Sequence, residues 1–185
     1  MRLLIMGPPG AGKGTQAAVI CERLNIPHIS TGDLFRANLA QGTALGQEAK
    51  KYMDAGEYVP DSVTNGMVRA RLAENDTANG FLLDGYPRTI QQVAELDGML
   101  SGKGLDKVIE LTAATDEVVR RLLNRAQEQG RADDTEDVIR RRLEVYTEQT
   151  APLTELYSSR GILVGVDGLG DVADVTDRIF AALNA

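Results

Sequence analysis

The chain has 185 residues, 43% of them hydrophobic and 25% charged, with a net charge of −7 at neutral pH. That length suits one compact domain with a core of its own, and the acidic balance argues against general binding to a nucleic-acid backbone, which needs a basic face. A lone cysteine, Cys21, and a lone histidine, His28, exclude an internal disulfide and a Cys/His zinc site.

In chain order, five short apolar runs (3–6, 26–29, 81–83, 108–111 and 162–166) read as buried strands. Amphipathic patterns predict helices over 12–24, 32–41, 45–55, 61–73, 90–100, 116–126, 136–157 and 171–183. Strands separated by helices imply an α/β fold, a parallel sheet with helices on both faces. Ligands of such sheets gather at the carboxyl ends of the strands. Four of the five runs lead directly into polar or glycine-rich segments: GPPGAGKGT (7–15), STGDLFR (30–36), DGYPRT (84–89) and DGLGD (167–171). The convergence says more than any one segment.

The first segment nearly matches the phosphate-binding pattern G-x-x-x-x-G-K-[ST], with Gly7, Gly12 and Lys13 in register. Gly14 stands where the pattern has a hydroxyl, which arrives one residue late at Thr15. The glycines let successive N–H groups turn toward phosphate oxygens, a helix adds its positive end, and Lys13 supplies a full charge. In the second segment Ser30 or Thr31 can cap a helix, and Arg36, one turn on, points back to that helix start. In the third, Asp84 ends an apolar run beside the phosphate loop, the position of a carboxylate that holds Mg²⁺ directly or through water. Gly85 and Pro87 shape a turn that presents Arg88. Gln92 follows on a helix, its amide offering the donor and acceptor that suit adenine's N6 and an adjacent ring nitrogen.

The polar run 125–142 is mostly a solvated face. Counting about 100° per residue from Ile139, Arg142 falls at the edge of the apolar stripe while Arg140 and Arg141 point outward. Arg125 and Arg131 flank a short polar stretch, 126–130, read as a loop able to swing, and Asp133 and Asp134 can orient Arg131. Arginine outnumbers lysine by 15 to 5. Its planar fork suits phosphate, although composition bias accounts for most of that ratio. Cys21 reads as a buried small hydrophobe and His28 as a residue among apolar neighbours without a direct catalytic role.

Over essentially its whole length the chain resembles the adenylate kinases. GPPGAGKGT, ISTGDLFR, GEYVPD, GFLLDGYPRT, RADDTEDVIRRRLEVYTEQTAPL and VDGLGD carry the resemblance. The family's loop has the form GxPGxGKGT, so Gly14 is ordinary there. The resemblance implies a P-loop nucleoside monophosphate kinase fold with a five-stranded parallel sheet. Its core would be 1–29, 60–124 and 137–185, with an AMP-binding insert at 30–59 and a short, zinc-free lid at 125–136. It implies that Gly10, Ala11, Gly12, Lys13, Gly14 and Thr15 bind ATP phosphates, with Lys13 following the transferred group. Arg125 would contact ATP, and Gly170 would meet its adenine. Thr31, Arg36, Glu57, Tyr58, Val59, Gly85, Tyr86, Pro87, Arg88 and Gln92 would bind AMP. Arg131 and Arg142 would clamp phosphates of both nucleotides, and Asp84 would hold hydrated Mg²⁺. Lys13, Asp84, Arg88, Arg125, Arg131 and Arg142 form the catalytic set so implied.

The expected reaction is reversible transfer of the terminal phosphoryl group of ATP to AMP, giving two ADP. A UMP/CMP kinase shares the fold and the loop and is the nearer alternative. A non-catalytic nucleotide sensor is the farther one, and it has no need of the second phosphate site that Arg36, Arg88, Arg131 and Arg142 imply. No apolar run approaches the roughly 18 residues of a membrane span, and the short N-terminal run is no signal peptide. A cytoplasmic monomer whose partners are ATP, AMP and ADP is expected.

Overall fold

The structure is a computed structural model that describes residues 1–129 and 135–184. Five strands, β1 (Arg2–Met6), β2 (His28–Ser30), β3 (Phe81–Asp84), β4 (Lys107–Thr112) and β5 (Leu163–Asp167), form one sheet in the order β2-β3-β1-β4-β5. Every pairing is parallel. Strand β1 sits at the centre, and its side chains alternate between two cores as the two-residue period requires. Leu3 and Ile5 pack with α1 (Lys13–Leu24) and α9 (Val172–Leu183) on one face. Leu4 and Met6 pack on the other, with Val68 of α4 (Asp61–Leu72), Val93 and Leu96 of α5 (Ile90–Met99) and Tyr157 of α8 (Leu153–Ser159). The α/β sheet flanked by helices is the fold expected from the sequence. A smaller cluster of Phe35, Ala49 and Val59 binds α2 (Thr31–Ala40) to α3 (Ala44–Asp54), apart from the two main cores.

Two helical boundaries differ from expectation. Helix α6 spans Thr115–Gln129, so 126–129 continue a helix instead of opening a loop. Ala, Gln and Glu are good helix formers, and that stretch holds no breaker before Gly130. The long helix expected over 136–157 is three pieces: α7 (Glu136–Val145), a π-helical turn (Tyr146–Thr150) and α8. The Ala151 N–H reaches the Tyr146 carbonyl at 2.9 Å, five residues back, and Pro152, lacking an N–H, separates the π turn from α8. Strand β2 starts two residues late because Pro27 can offer the ladder only its carbonyl, which accepts from the Leu82 N–H at 3.0 Å. Cys21 is free and buried, and burial lifts its thiol pKa to about 11, the behaviour of a small hydrophobe. Among the described residues no helix is long and apolar enough to cross a membrane.

Candidate functional site

Because all five strands run the same way, their carboxyl ends meet along one edge of the sheet, and two adjoining clefts open there. The loop after β1 wraps the start of α1. Gly12 caps that helix without a side-chain hydrogen bond, and the first turn holds no acidic residue, so backbone N–H groups are what this end offers to an anion. Gly10 takes φ +85°, and a Cβ there would stand 2.9 Å from both the Val118 carbonyl and Leu122 Cγ. The loop is therefore pressed onto α6, and only glycine fits. Lys13 Nζ donates to the carbonyls of Gly7 at 2.8 Å and Pro8 at 3.0 Å. Burial lowers its pKa to about 8; Asp84 opposes this drop, while Arg88, Arg142 and Arg125 add to it.

Gly14 resolves the missing hydroxyl. A Cβ at that position would stand 3.9 Å from Asp84 Oδ2, so the residue after the lysine faces the carboxylate at the end of β3. Asp84 Oδ2 lies 3.3 Å from Nε2 of His28, which lines the same cleft. The second cleft runs from here along residues 9–16 and Arg125 to Gly168 and Gly170. Gly168 ties the loop after β5 to the sheet through its N–H, 2.8 Å from the Thr112 carbonyl.

The first cleft is lined by Thr31, Glu57, Tyr58, Val59, Pro87 and Gln92 among others. Ser30 caps α2 by accepting from the Asp33 N–H at 3.2 Å. That frees the Thr31 hydroxyl to donate to the Gly85 carbonyl at 2.9 Å. Arg36 folds back over the helix start, as the spacing predicted. Its Nη2 donates to Asp33 at 2.6 Å and would sit 2.9 Å from a Cβ on Gly32. Gly85, at φ +81°, is hemmed in likewise: its Cβ would lie 2.7 Å from both Arg88 Nη2 and the Thr31 hydroxyl. Arg88 donates through Nε to the Gly85 carbonyl at 2.7 Å, and its guanidinium stacks 4.9 Å from the Tyr58 ring centre.

Lys13, Arg36, Arg88 and Arg142 line both clefts. The two cavities thus share a wall of four cations. Arg142 reaches this wall from α7 and Arg140 pairs outward with Glu136, as the helical count predicted, whereas Arg141, expected to point outward, is half-buried and pairs with Glu57 of the first cleft as well as with Glu144. Tyr86 is not part of the wall: fully buried, it donates to Asn65 at 2.9 Å and lines neither cleft. Arg131, Asp133 and Asp134 lie outside the described residues.

The adenylate kinase family model matches residues 5–162 of this chain. Among curated relatives, an adenylate kinase of Nocardioides sp. is 66% identical over 100% of this chain and 97% of its own length. The chain belongs to the adenylate kinase family. A Kocuria rhizophila adenylate kinase is also 66% identical, over 98% of both chains. One of Thermobifida fusca is 53% identical over 100% of this chain and 99% of its own. Membership of the family makes the chain a nucleoside monophosphate kinase, a phosphotransferase.

Several residues at this family's site escape a motif reading. Arg121, one helical turn before Arg125 on α6, is braced by Glu117 at 2.7 Å and donates to the Gly168 carbonyl at 3.2 Å. The i, i+4 spacing of the two arginines was the available signal. His28 and Thr150 are brought in by tertiary folding alone. The π turn sets Tyr146 and Thr150 together on the first cleft. The Thr150 hydroxyl donates to the Arg88 carbonyl at 2.9 Å and lies 2.6 Å from the Tyr58 hydroxyl. Arg88 is therefore held through its backbone by Thr150 and through its side chain by Tyr58. Thr150→Val keeps the shape and removes both bonds. Steady-state kinetics should show the KM for AMP raised roughly tenfold with the KM for ATP little changed, and thermal unfolding a loss of about 1–3 kcal/mol.

Proposed function

We propose that this chain catalyses reversible transfer of the terminal phosphoryl group of ATP to AMP, giving two ADP. The observation that carries the reading is the wall of Lys13, Arg36, Arg88 and Arg142 common to both clefts. A nucleotide sensor needs one phosphate site, whereas two clefts that share their cations suit two nucleotides placed phosphate to phosphate. We assign the second cleft, with residues 10–15, Arg125 and Gly170, to ATP. The first, with Thr31, Arg36, residues 57–59, Gly85, Pro87, Arg88 and Gln92, is assigned to AMP.

Phosphoryl transfer asks the protein mainly for alignment and charge neutralisation. No side chain need act as a nucleophile, since an AMP phosphate oxygen attacks the γ-phosphorus in line. Lys13 and the arginines offset charge on the transferring group. Among the described residues no cluster of three or more His, Cys, Asp or Glu could cage a metal ion. The donor set instead fits Mg²⁺ carried mainly by nucleotide phosphates and water, with Asp84, beside the phosphate loop, the residue that would hold it through water. When bound, that ion neutralises phosphate charge.

We further propose that residues 30–59 are a mobile insert on the core, closing over the nucleotides to exclude water; the lid expected at 125–136 lies in part outside the described residues. The separate small core of α2 and α3 supports the insert. We also propose a cytoplasmic monomer; the free buried cysteine suits the cytoplasm. A coupled assay with AMP, UMP and CMP as acceptors tests the reading. Fastest turnover with AMP is expected; faster turnover of UMP or CMP overturns the substrate assignment, and no ADP from ATP plus AMP overturns the reaction.

A further inference from the structure

Gln92 is 2% exposed, and its side-chain amide is committed at both ends. Its Nε2 donates to Asp61 Oδ1 at 2.7 Å, and its Oε1 accepts from the Arg88 backbone N–H at 2.7 Å. A carboxylate can only accept and a backbone N–H can only donate, so these partners fix which end of the amide is oxygen and which is nitrogen. Asp61 is itself tied down. It stands in the first turn of α4, and its Oδ2 accepts from the Thr89 hydroxyl at 3.3 Å. That hydroxyl in turn accepts the Gln92 backbone N–H at 3.2 Å, capping α5. The result is a closed ring of bonds from α4 to α5, standing behind the first cleft: Gln92 lines that cleft and Asp61 does not.

After Asp61 and Arg88 have taken their share, the amide retains one N–H and one carbonyl lone pair, side by side and in fixed order. A 6-aminopurine presents a ring-nitrogen acceptor beside an amino donor and matches that order. A 6-oxopurine presents a ring N–H beside a carbonyl, the reverse order, and would set donor against donor and acceptor against acceptor. Rotating the amide by a half turn would accommodate it, but would point the Gln92 carbonyl at the Asp61 carboxylate.

We propose that Asp61 is a specificity-determining positioning residue, which locks the Gln92 amide in the orientation that accepts a 6-aminopurine monophosphate and rejects a 6-oxopurine one. The inference rests on AMP being the acceptor in the first cleft. Asp61 touches no substrate; it acts through Gln92.

The test is phosphorylation of AMP and of inosine monophosphate, which differ at the base edge and share ribose and phosphate, by the wild type and by Asp61→Asn. The asparagine keeps the shape and can turn an N–H toward the Gln92 carbonyl, so the turned amide is no longer opposed by a carboxylate and meets opposition only from the Arg88 N–H. The ratio of kcat/KM for inosine monophosphate to that for AMP should rise about tenfold or more, since the lost contact is a hydrogen bond to a charged group. The KM for ATP should stay unchanged. A ratio within about twofold of the wild type overturns the proposal even if both rates fall, because a merely structural role would weaken both acceptors alike. Should the variant fail to fold, Asp61→Ser, which also removes the carboxylate, takes its place and the same ratio decides; equal turnover of the two acceptors by the wild type overturns the proposal in either case. Wild-type turnover of UMP or CMP in place of AMP would instead remove the acceptor assignment, an outcome separate from an unchanged ratio with AMP turnover intact.

Discussion

Replacing Lys13 by methionine is expected to lower kcat roughly a thousandfold, the scale of losing a group that stabilises the transferring phosphoryl charge, while leaving the protein at least as stable as the wild type. The pairing of lost activity with retained or raised stability follows from burial. The Lys13 ammonium is desolvated, and its pKa falls from 10.5 to about 8 in the folded chain. The unfolded chain holds that proton more tightly, so the penalty for burying the charge is present in full below pH 8. It fades as pH rises from there toward 10.5, where the folded lysine is already neutral. Thermal unfolding should therefore show Lys13→Met gaining most near neutral pH and little near about pH 10. A destabilised variant at neutral pH would show that Lys13 is a structural cation and not one kept at a stability cost for function. Phosphate oxygens arriving beside the ammonium raise its pKa again. Nucleotide binding near pH 8 should thus take up a proton in the wild type and none in the variant, read as a buffer-dependent binding enthalpy.

The second large effect is at Arg88. Its Nε is spent on the Gly85 carbonyl, its plane on the Tyr58 ring, its backbone N–H on Gln92 and its carbonyl on Thr150. A guanidinium so fixed is preorganised, and its fork can grip two phosphate oxygens at once. Arg88→Lys keeps the charge and loses the fork and the stacking. Steady-state kinetics should show kcat/KM for AMP down by about 10²–10³ with the KM for ATP nearly unchanged. An equal loss toward both nucleotides would mean that the clefts are divided differently. Near-wild-type activity would mean that Arg88 supplies only diffuse positive potential.

How much of this was legible beforehand depended on the distance over which each contact acts. The sheet, its parallel sense and the edge that carries the site followed from local apolar runs, because a buried strand announces itself within a few residues. Lys13, Arg36, Asp84 and Arg88 were legible because each follows a strand or opens a helix at fixed spacing. Arg142 followed from the helical period. Asp61, Thr150 and His28 were not, since each reaches its partner across 31, 62 and 56 positions of sequence respectively. Over 126–129 the expected loop is helix because polarity was taken for irregularity: the apolar stripe of α6 ends there, but its helix formers do not. The π turn was invisible for a related reason. Its extra residue shifts the helical phase within an otherwise regular pattern, and the shift is what brings Thr150 beside Arg88.

The central claim is that the two clefts form one site for two nucleotides meeting at a shared cationic wall. Calorimetric titration with di-adenosine pentaphosphate, a single molecule with an adenosine at each end of a phosphate chain, tests it most directly. One molecule should bind per chain, at least about a hundredfold tighter than ATP or AMP alone, because the second end binds as an intramolecular event. Two molecules per chain, or an affinity no better than that of ATP, would contradict the claim.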